Sequence, residues 1–439
     1  MRLPEYVTQC LNTLEEAGFA AYAVGGCVRD LYLGRVPHDY DLCTSALPEQ
    51  TEAVFRDRRL VLAGKKHGTI GVVTPEGVVE ITTFRTEGDY TDNRHPDNVE
   101  FVRNIEEDLA RRDFTVNAMA WSPKRGFADP FGGRDDLHAG LLRAVGDPEK
   151  RFREDSLRIL RGVRFAVRYN LRLDPATQKA MFDLVPLMDN LARERVFDEL
   201  CALLLTVKAE DLICFAPVIC SVIPELAPTV GFDQRSPHHA YDLYTHIAKV
   251  VENTPADLTL RWTALLHDTG KIPTFTTDAT GRGHFYGHDK VGAEMADEIL
   301  RRLKAPTALR EQVVLLIGRH MTRLEPNKKV LRRWISRMGL ETVRQLLALQ
   351  QADMGSKGDE DPAADAFFGE IWNILREVEE ENGCLTLKDL AVNGHDLMDM
   401  GITGKEIGRK LNVLLEKVLE EELPNEKNKL LQHIKAEET

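Results

Sequence analysis

Short hydrophobic runs, separated by glycine and proline, characterise the N-terminal part of the chain. The β-rich runs lie at residues 19–24, 71–73, 78–84 and 99–102. Runs of this length, bounded by turn residues, are typical of β-strands. A helix is also predicted at residues 28–33, so the pattern indicates a mixed sheet with flanking helices over residues 19–121.

The pattern changes at about residue 149, where hydrophobic residues begin to recur at helical spacing. Leu157, Leu160 and Val163 follow one another at intervals of three residues, which places them on one face of a helix. Strand-like runs almost vanish beyond this point. The predicted fold class is therefore α+β, with a mixed-sheet head followed by an all-helical remainder.

Two stretches rich in loop-forming residues divide the helical remainder. The first, residues 224–237, is predicted to be a linker, and the acidic, glycine-containing residues 357–365 are predicted to be a second boundary. A chain of 439 residues is long enough for roughly three domains.

Composition narrows the class of protein. With 43% hydrophobic and 29% charged residues the chain has the make-up of a soluble globular protein. A net charge of −13 argues against a uniformly basic nucleic-acid-binding surface but leaves room for a local basic stripe. The longest apolar run, residues 212–223, contains Pro217 and is shorter than the about 20 residues of a membrane span. We therefore expect no membrane partner.

Cysteine usage and the N-terminus indicate the compartment. Seven cysteines without a CxxC pair argue for a reducing environment and against a disulfide framework. The acidic N-terminus lacks the apolar segment of a signal peptide. We expect a cytoplasmic protein.

Two acidic residues stand at the end of the stretch VGGCVRDLYLGRVPHDYDL, residues 24–42. On one β-strand, residues i and i+2 point to the same side, so Asp39 and Asp41 are expected to present their carboxylates together. Such a pair repels unless a cation lies between the two groups, and Mg²⁺ prefers carboxylate and phosphate oxygens. The spacing therefore predicts a magnesium site for phosphoryl transfer.

Neighbouring residues fit that prediction. Gly25 and Gly26, between a strand and a helix, would let backbone N–H groups approach a phosphate. Glu80 is a candidate third carboxylate, because Val79 and Ile81 face the other side of their strand. The alternative for the first stretch is a turn glycine pair beside a solvated acidic loop.

Two further groups of charged residues are candidates for nucleotide recognition. Arg111, Arg112 and Asp113 combine two cations and an acid, which suits a triphosphate and a ribose hydroxyl. Asp155 and Arg158 are three residues apart and are predicted to share a helix face, where they could bind a base edge. The alternatives are a surface ion pair for the first group and an ordinary helix salt bridge for the second.

A second constellation lies in the helical remainder. His246 stands on a predicted helix, and the stretch LLHDTGK places His267 beside Asp268. The further members are His288, His320 and Asp353. Imidazole and carboxylate together suit a borderline transition metal or a two-metal hydrolytic site. A lone histidine on an apolar helix is more often a core residue, so the prediction rests on the clustering.

Four ordered motifs resemble one known family. They are the glycine and aspartate stretch already quoted, VEITTFRTEGDYTDNRHPDNVEFV at 79–102, RRDFTVNAMA at 111–120 and EDSLRILRGVRFAVRY at 154–169. Together they resemble the class II tRNA nucleotidyltransferases, the family of CCA-adding enzymes and bacterial poly(A) polymerases. The resemblance implies a polymerase-β-like nucleotidyltransferase head at 1–140, a helical neck and body at 141–223, and an RNA-binding helical tail at 361–439.

The resemblance also implies an activity, partners and roles for particular residues. The activity is addition of CCA to tRNA 3′ ends from CTP and ATP, with Mg²⁺ at Asp39 and Asp41 and with Glu80 as the candidate third carboxylate. Asp155 and Arg158 would act as a protein template that chooses CTP or ATP. The implied nucleotide-binding residues are Gly25, Gly26, Arg29, Arg111, Arg112, Asp113, Asn117, Asp155, Arg158, Arg161 and Arg164.

The histidine constellation resembles the HD phosphohydrolases, which implies an HD domain at 224–360. The implied metal ligands are His246, His267, Asp268, His288, His320 and Asp353. The metal would be Mn, Ni, Co, Fe or Mg²⁺, and Lys271 would bind the substrate phosphate. HD domains of related CCA-adding enzymes act as phosphatases and phosphodiesterases on phosphorylated or cyclic-phosphate ends. His239 and His284 are expected to be structural or surface residues.

Three alternatives remain open at the level of sequence. A-adding enzymes share nearly every motif, whereas a full flexible loop at 86–98 argues against a CC-adding enzyme. Bacterial poly(A) polymerases usually carry a basic C-terminal extension, and the tail here is acidic. A different class would be an HD phosphohydrolase with a nucleotide-binding head. The oligomeric state is open.

Overall fold

The protein is described by a computed structural model that covers residues 1–87, 99–236, 240–358, 361–381 and 383–437. Contacts divide the chain into two compact units. The first contains residues 1–207 and 214–227, and the second contains residues 208–213 and 228–439. Within the described ranges no helix is long and apolar enough to cross a membrane.

Strands are concentrated in the first unit and helices occur throughout the described residues. The strands are β1 (Ala21–Val24), β2 (Asp41–Thr44), β3 (Leu60–Val61), β4 (Thr69–Thr74), β5 (Gly77–Thr83), β6 (Arg85–Glu87), β7 (Val99–Phe101), β8 (Ala120–Ser122), β9 (Gly126–Ala128), β10 (Leu141–Leu142), β11 (Arg172–Leu173), β12 (Thr276–Thr277) and β13 (Gly283–His284). The helices up to residue 222 are α1 (Glu5–Glu16), α2 (Gly26–Tyr32), α3 (Pro48–Val54), α4 (Ile105–Ala110), α5 (Gly133–His138), α6 (Pro148–Glu154), α7 (Leu157–Tyr169), α8 (Pro175–Asp183), α9 (Arg193–Leu204), α10 (Ala209–Cys214) and α11 (Ala216–Val222). The later helices are α12 (Leu243–Asn253), α13 (Leu258–Leu266), α14 (Lys271–Thr274), α15 (His288–Arg302), α16 (Thr307–Ile317), α17 (Lys328–Met338), α18 (Leu340–Gly355), α19 (Pro362–Glu380), α20 (Gly394–Met398), α21 (Lys405–Leu419) and α22 (Lys427–Glu437).

A mixed sheet forms the head, as the hydrophobic pattern predicts. Its strand order among the described residues is β3-β4-β5-β2-β1-β8-β9, and β2 and β5 run parallel. Along β5, Val79 and Ile81 are buried while Glu80 is exposed, because successive side chains point to opposite faces. The predicted α+β class, with a mixed-sheet head and a helical remainder, is confirmed.

One local prediction about the acidic stretch is wrong. Asp39 and Asp41 do not alternate along one strand, because β2 begins at Asp41 and Asp39 lies in the irregular segment before it. Pro37, two residues before Asp39, lacks the N–H group that a strand interior would use. The predicted helix at 28–33 begins earlier, at Gly26.

A second local prediction is also wrong, since Asp155 and Arg158 do not share a helix face. Asp155 has extended dihedral angles, φ −141° and ψ 102°, at the break between α6 and α7. Its side chain accepts a hydrogen bond from the N–H of Leu157 at 3.1 Å, which satisfies a donor at the start of α7. An aspartate in this position therefore starts a helix rather than extending one.

Among the described residues of the second unit, the later helices contribute to two hydrophobic cores. Residues of α16 to α19, among them Leu331, Leu346 and Phe368, form the first. Leu397, Leu414 and other residues from 390 onward form the second. The predicted domain boundary between residues 360 and 361 thus falls between helices that share one core.

Candidate active sites

Three carboxylates lie near one another on the neighbouring strands β2 and β5 and in the segment before β2. Asp41 begins β2 and is paired in register with Glu80 on β5. Although Asp41 is exposed, the surrounding protein desolvates its carboxylate and raises its pKa, and the nearby charge of Asp39 raises this pKa further. Arg112 opposes that shift and Glu80 adds to it. A divalent cation among these groups would relieve the repulsion, so the donor set fits Mg²⁺.

The two glycines at the start of α2 leave room for guanidinium groups. Gly25 has φ +71°, and a Cβ atom there would lie 2.7 Å from Nη1 of Arg112. A Cβ atom on Gly26 would lie 3.4 Å from Nη2 of Arg29. Gly25 therefore lets Arg112 approach the backbone closely, near Asp41.

Asp108 is a residue that sequence reasoning missed, and it holds both arginines of the RRD segment. Its side chain is fully buried and accepts hydrogen bonds from Arg111 at 3.0 Å and Arg112 at 3.4 Å. It also accepts from the N–H of Arg85 at 3.2 Å. Burial alone would raise its pKa, but the two guanidinium groups outweigh burial and lower it. The spacing i, i+3 and i+4, from Asp108 on α4 to the two arginines just after this helix, was the available signal.

Asp113 is the centre of a buried polar network in the first unit. Its Oδ2 atom accepts two hydrogen bonds from Arg161, at 3.0 and 2.7 Å, and its Oδ1 atom accepts from Asn117 at 3.1 Å. Burial opposes ionisation, but Arg161 and Asn117 outweigh it and lower the pKa of Asp113 to about 2. Three residues predicted to bind nucleotide are thus joined in one network.

Arg29 extends this network and is only 5% exposed. Its guanidinium donates to Asn117, to Tyr169 and to Asp30, the last at 2.9 Å. The structure therefore commits Arg29 to internal contacts between α2 and α7. Arg164 pairs with Glu199 of α9 at 2.5 Å.

We expect Asp113→Asn to destabilise the protein at neutral pH by about 2 kcal/mol, the equivalent of a pKa lowered from 3.8 to about 2. Because the folded-state pKa is the lower one, this stabilisation is present above the ordinary pKa and is lost as the pH falls through it. Thermal unfolding of wild type and variant between pH 7 and 2 should show a difference that shrinks below about pH 4. The exposed Asp198→Asn serves as control, and a difference that is constant over this range would contradict the assignment.

Arg158 lies beside Glu154 rather than Asp155. Its Nη1 atom donates to Glu154 at 2.8 Å and its Nη2 atom donates to the carbonyl oxygen of Arg111 at 2.9 Å. Asp155 instead pairs with Arg195 at 2.8 Å. The adjacent cleft has a volume of about 160 Å³ and is lined by Thr86, Glu107, Ala110, Arg111, Lys150, Arg151 and Glu154. Most of the predicted loop at 86–98 lies outside the described residues.

In the second unit, the predicted metal ligands come together around Asp268. The Nε2 atoms of His246 and His267 lie 3.4 and 3.2 Å from its Oδ2 atom, and those of His288 and His320 lie 3.5 and 3.9 Å from its Oδ1 atom. Two overlapping triads result, His246-His267-Asp268 and Asp268-His288-His320, with ligand atoms within 4.8 Å of one another. Asp353 adds an oxygen 3.0 Å from Nε2 of His246.

The four imidazoles share one hydrogen-bonding arrangement. Each Nδ1 atom faces a backbone carbonyl oxygen, in His246 at 3.2 Å, in His267 at 2.8 Å, in His288 at 2.8 Å and in His320 at 2.7 Å. Because a carbonyl oxygen only accepts, Nδ1 carries the proton and a neutral ring presents its Nε2 lone pair to the centre. This arrangement is typical of metal-ligating histidines.

Charges in the cluster also fit a bound cation. Burial lowers the pKa of His246, but Asp268 and Asp353 outweigh it and raise this pKa to about 9, so positive charge is favoured at that position. Burial and the charge of His267 lower the pKa of His320 to about 4, which keeps its ring neutral. The donor set of imidazoles and carboxylates fits a divalent transition metal.

Lys271 is held at the edge of this cluster. Its Nζ atom lies 2.7 Å from Oδ2 of Asp268 and donates to Oε1 of Gln234 at 3.0 Å. Gln234 is buried and was missed from the sequence, because 37 residues separate it from Lys271. The two contacts orient the ammonium group that was predicted to bind phosphate. His239 lies outside the described residues.

We expect Gly270→Ala to disturb the cluster, because the new Cβ would lie 2.2 Å from the carbonyl oxygen of His288 and 2.5 Å from the N atom of Gly292. The helix bearing His288 must then move, so bound metal should decrease and the melting temperature should fall by about 5 °C. Calorimetry and metal analysis would measure both. Gly369→Ala is the matched control, since its Cβ meets open space, and equal behaviour of the two variants would exclude the packing argument.

Family comparisons agree with the geometry of the head. Residues 21–143 match the family described as poly A polymerase head domain, and residues 170–213 match the probable RNA- and SrmB-binding site of polymerase A. Residues 288–434 match the family described as tRNA nucleotidyltransferase domain 2, putative. The head is thus similar to the poly A polymerase head domain, the family that its sequence motifs resemble.

The individual proteins that resemble this chain are CCA-adding enzymes. The CCA-adding enzyme of Leuconostoc mesenteroides is 48% identical over 201 residues, which are 46% of this chain and 50% of that protein. The match thus spans about half the length of that relative. The Bacillus stearothermophilus CCA-adding enzyme in complex with CTP has a TM-score of 0.71 and 27% identity, covering 100% of this chain and 99% of the other. The Thermotoga maritima CCA-adding enzyme complexed with tRNA shares the fold, with a TM-score of 0.61, 22% identity and coverage of 99% and 96%.

Proposed function

We propose that this chain is a template-independent tRNA nucleotidyltransferase that adds CCA to tRNA 3′ ends from CTP and ATP. The observation that carries the proposal is the convergence of Asp39, Asp41 and Glu80 within the matched head domain. The CCA-adding relatives, including one bound to CTP, support the substrates.

The three carboxylates are the residues that would hold Mg²⁺. When bound, this ion would polarise the phosphate and lower the pKa of an RNA 3′-hydroxyl. Arg111 and Arg112, fixed by Asp108, supply positive charge beside the carboxylates, where a triphosphate needs it. Holding both guanidinium groups through one buried acid reduces the reorganisation that substrate binding would require.

The experiment that tests this proposal uses purified protein, Mg²⁺, CTP and ATP with tRNA ending at the discriminator base, at C and at CC. Ordered addition of C, C and A, read at nucleotide resolution, is the expected result. Addition of A alone to the CC end would identify an A-adding enzyme, and long A tails would identify a poly(A) polymerase. No incorporation on any end would reject the nucleotidyltransferase proposal.

Arg158 is proposed to act with Asp155 in choosing the base. We expect Arg158→Ala to lower the ratio of CTP to ATP incorporation at the discriminator end by about 10-fold, since a charge-assisted hydrogen bond contributes about 1.5–3 kcal/mol. Total incorporation should change less than this ratio. Single-nucleotide kinetics would measure both quantities. Arg168→Ala, an exposed position on the same helix, is the control, and unchanged selectivity would remove Arg158 from the role.

We also propose that the Asp268 cluster is an HD-type, metal-dependent phosphohydrolase site. The convergence of four histidine Nε2 atoms on one buried carboxylate supports this. The imidazole-rich donor set favours Mn, Ni, Co or Fe over Mg²⁺. Lys271, held by Asp268 and Gln234, is proposed to bind a phosphate oxygen, and phosphorylated or cyclic-phosphate RNA ends are the proposed substrates.

Metal analysis and phosphate release test this second activity. Protein exchanged into each metal should hold one or two ions per chain and should release phosphate from 2′-phosphate and 2′,3′-cyclic phosphate ends. Tight metal binding without hydrolysis of either RNA end would indicate that the cluster is a structural metal site and not a catalytic one. Absence of metal binding would reject the site.

A further inference from the structure

A short hairpin leads directly into the Asp268 cluster. The strands β12 and β13 form it, and the chain then passes through Phe285, Tyr286 and Gly287 to His288, the first residue of α15. Tyr286 is 79% exposed, which is high for an aromatic side chain two residues from a candidate metal ligand. No role for this ring follows from the packing of the unit, because most of its surface faces solvent.

The exposed ring is nevertheless held in a defined orientation. Tyr286 stacks on His284, with ring centroids 5.4 Å apart and an angle of 7° between the planes. Nε2 of His284 lies 2.9 Å from Asp278, whose other oxygen accepts from the N–H groups of Thr280 at 2.8 Å and Arg282 at 3.1 Å. His284, expected from the sequence to be a surface residue, therefore supports one face of Tyr286.

Contacts of Phe285 link the stacked pair His284 and Tyr286 to Lys271, the proposed phosphate-binding residue. The carbonyl oxygen of Phe285 accepts from Nδ1 of His288 at 2.8 Å, and the ring of Phe285 lies 5.3 Å from Nζ of Lys271. Phe285 also packs on Phe275, with centroids 5.6 Å apart. Tyr286 is thus bracketed along the chain by a residue that contacts Lys271 and by a candidate metal ligand.

An exposed, oriented aromatic ring, next in the chain to the residue that contacts the proposed phosphate-binding Lys271, suits the shape of a nucleotide. A nucleotide separates its phosphate from a flat base by one sugar, and bases stack on tyrosine rings without requiring a particular sequence. A simple phosphate ester has no group that uses such a ring. The arrangement therefore favours a nucleotide over other phosphate esters.

We propose that Tyr286, supported by His284, stacks the base of the nucleotide whose phosphate enters the Asp268 cluster. Tyr286 is then a specificity-determining residue that selects nucleotide esters over esters without a base. This inference rests on the proposed phosphohydrolase function. The proposed reaction is still hydrolysis of a phosphate ester. The inference adds that the protein recognises the base of the substrate.

The test compares wild type, Tyr286→Ala and Tyr286→Phe in the full-length, Mn²⁺-loaded protein. Phosphate release is measured from 2′-AMP and from glycerol 2-phosphate, an ester of a secondary alcohol without a base. Tyr286→Ala should raise KM for 2′-AMP by about 10-fold with kcat little changed, because stacking contributes about 1–3 kcal/mol per base. KM for glycerol 2-phosphate should stay within about twofold, and Tyr286→Phe should resemble wild type.

Other results would overturn the inference. A KM for 2′-AMP that does not change in Tyr286→Ala excludes stacking, and parallel loss on both esters indicates a structural role. If neither ester is hydrolysed by wild type, the phosphohydrolase proposal fails separately, and titration calorimetry with 2′-AMP decides the inference. Because the head is also proposed to bind nucleotides, the affinity of wild type for 2′-AMP is compared with that of Tyr286→Ala. Equal affinities would exclude stacking of the base on Tyr286.

Discussion

Asp41→Ala is expected to reduce nucleotide addition by more than about 1000-fold while phosphate-ester hydrolysis stays at the wild-type level. Asp41 lies in register with Glu80 and is crowded by Asp39, so its loss removes the central oxygen ligand of the proposed magnesium site. The hydrolysis is assigned to the Asp268 cluster in the other unit. Primer extension on CC-ended tRNA and phosphate release, assayed on the same preparation, would measure the two activities.

Folding must be checked for this variant. Because the surrounding protein and Asp39 raise the pKa of Asp41, its ionised form is less favourable in the folded than in the unfolded chain, and Asp41→Ala should not lower the melting temperature. Asp57→Ala, an exposed acid of the same unit, is the control for loss of one negative charge. Loss of both activities in a folded Asp41→Ala protein would contradict the model of two separate sites.

Asp268→Asn is expected to produce the reverse result, with hydrolysis reduced by more than about 1000-fold and CCA addition retained. Asp268 belongs to both triads, so the change removes an anionic ligand from each of them. The amide has nearly the same shape, which limits the cavity that Asp268→Ala would leave in a buried position.

Metal content separates a chemical from a structural effect of this change. Asp268→Asn should retain less metal than wild type after dialysis, whereas Asp365→Asn, at an exposed acid of the same unit, should retain the wild-type amount. Elemental analysis of both proteins would measure this. Full hydrolysis by a metal-loaded Asp268→Asn protein would refute the ligand assignment.

Most strands of the head could be predicted, because short runs of neighbouring residues indicate them. Strands at 19–24 and 78–84 follow from short hydrophobic runs bounded by turn residues, and β1 and β5 lie within or close to them. Alternation along one strand was enough to mark Glu80 as a candidate carboxylate. The same rule failed for Asp39, because it presumed a strand where Pro37 precedes an irregular segment.

The arginine contacts were less predictable. Spacing suggested a pair between Asp155 and Arg158, yet Asp155 lies in the break before α7 and pairs with Arg195, while Glu154 contacts Arg158. A break between two helices alters which side chains share a face, and motif spacing does not report such a break. The spacing of Asp108 from Arg111 and Arg112 could have identified it as their partner, but Asp108 belongs to none of the motifs that were considered.

The sequence by itself determined the α+β class, the mixed-sheet head and the identity of most candidate ligands, because these depend on periodicity and on residue types at short spacing. Tertiary structure decided which of these residues meet. His246, His288 and Asp353 lie on three separate helices, and Gln234 reaches Lys271 across 37 residues. Such contacts depend on how helices pack, since burial of apolar faces brings distant positions together, and no local pattern encodes the resulting distances.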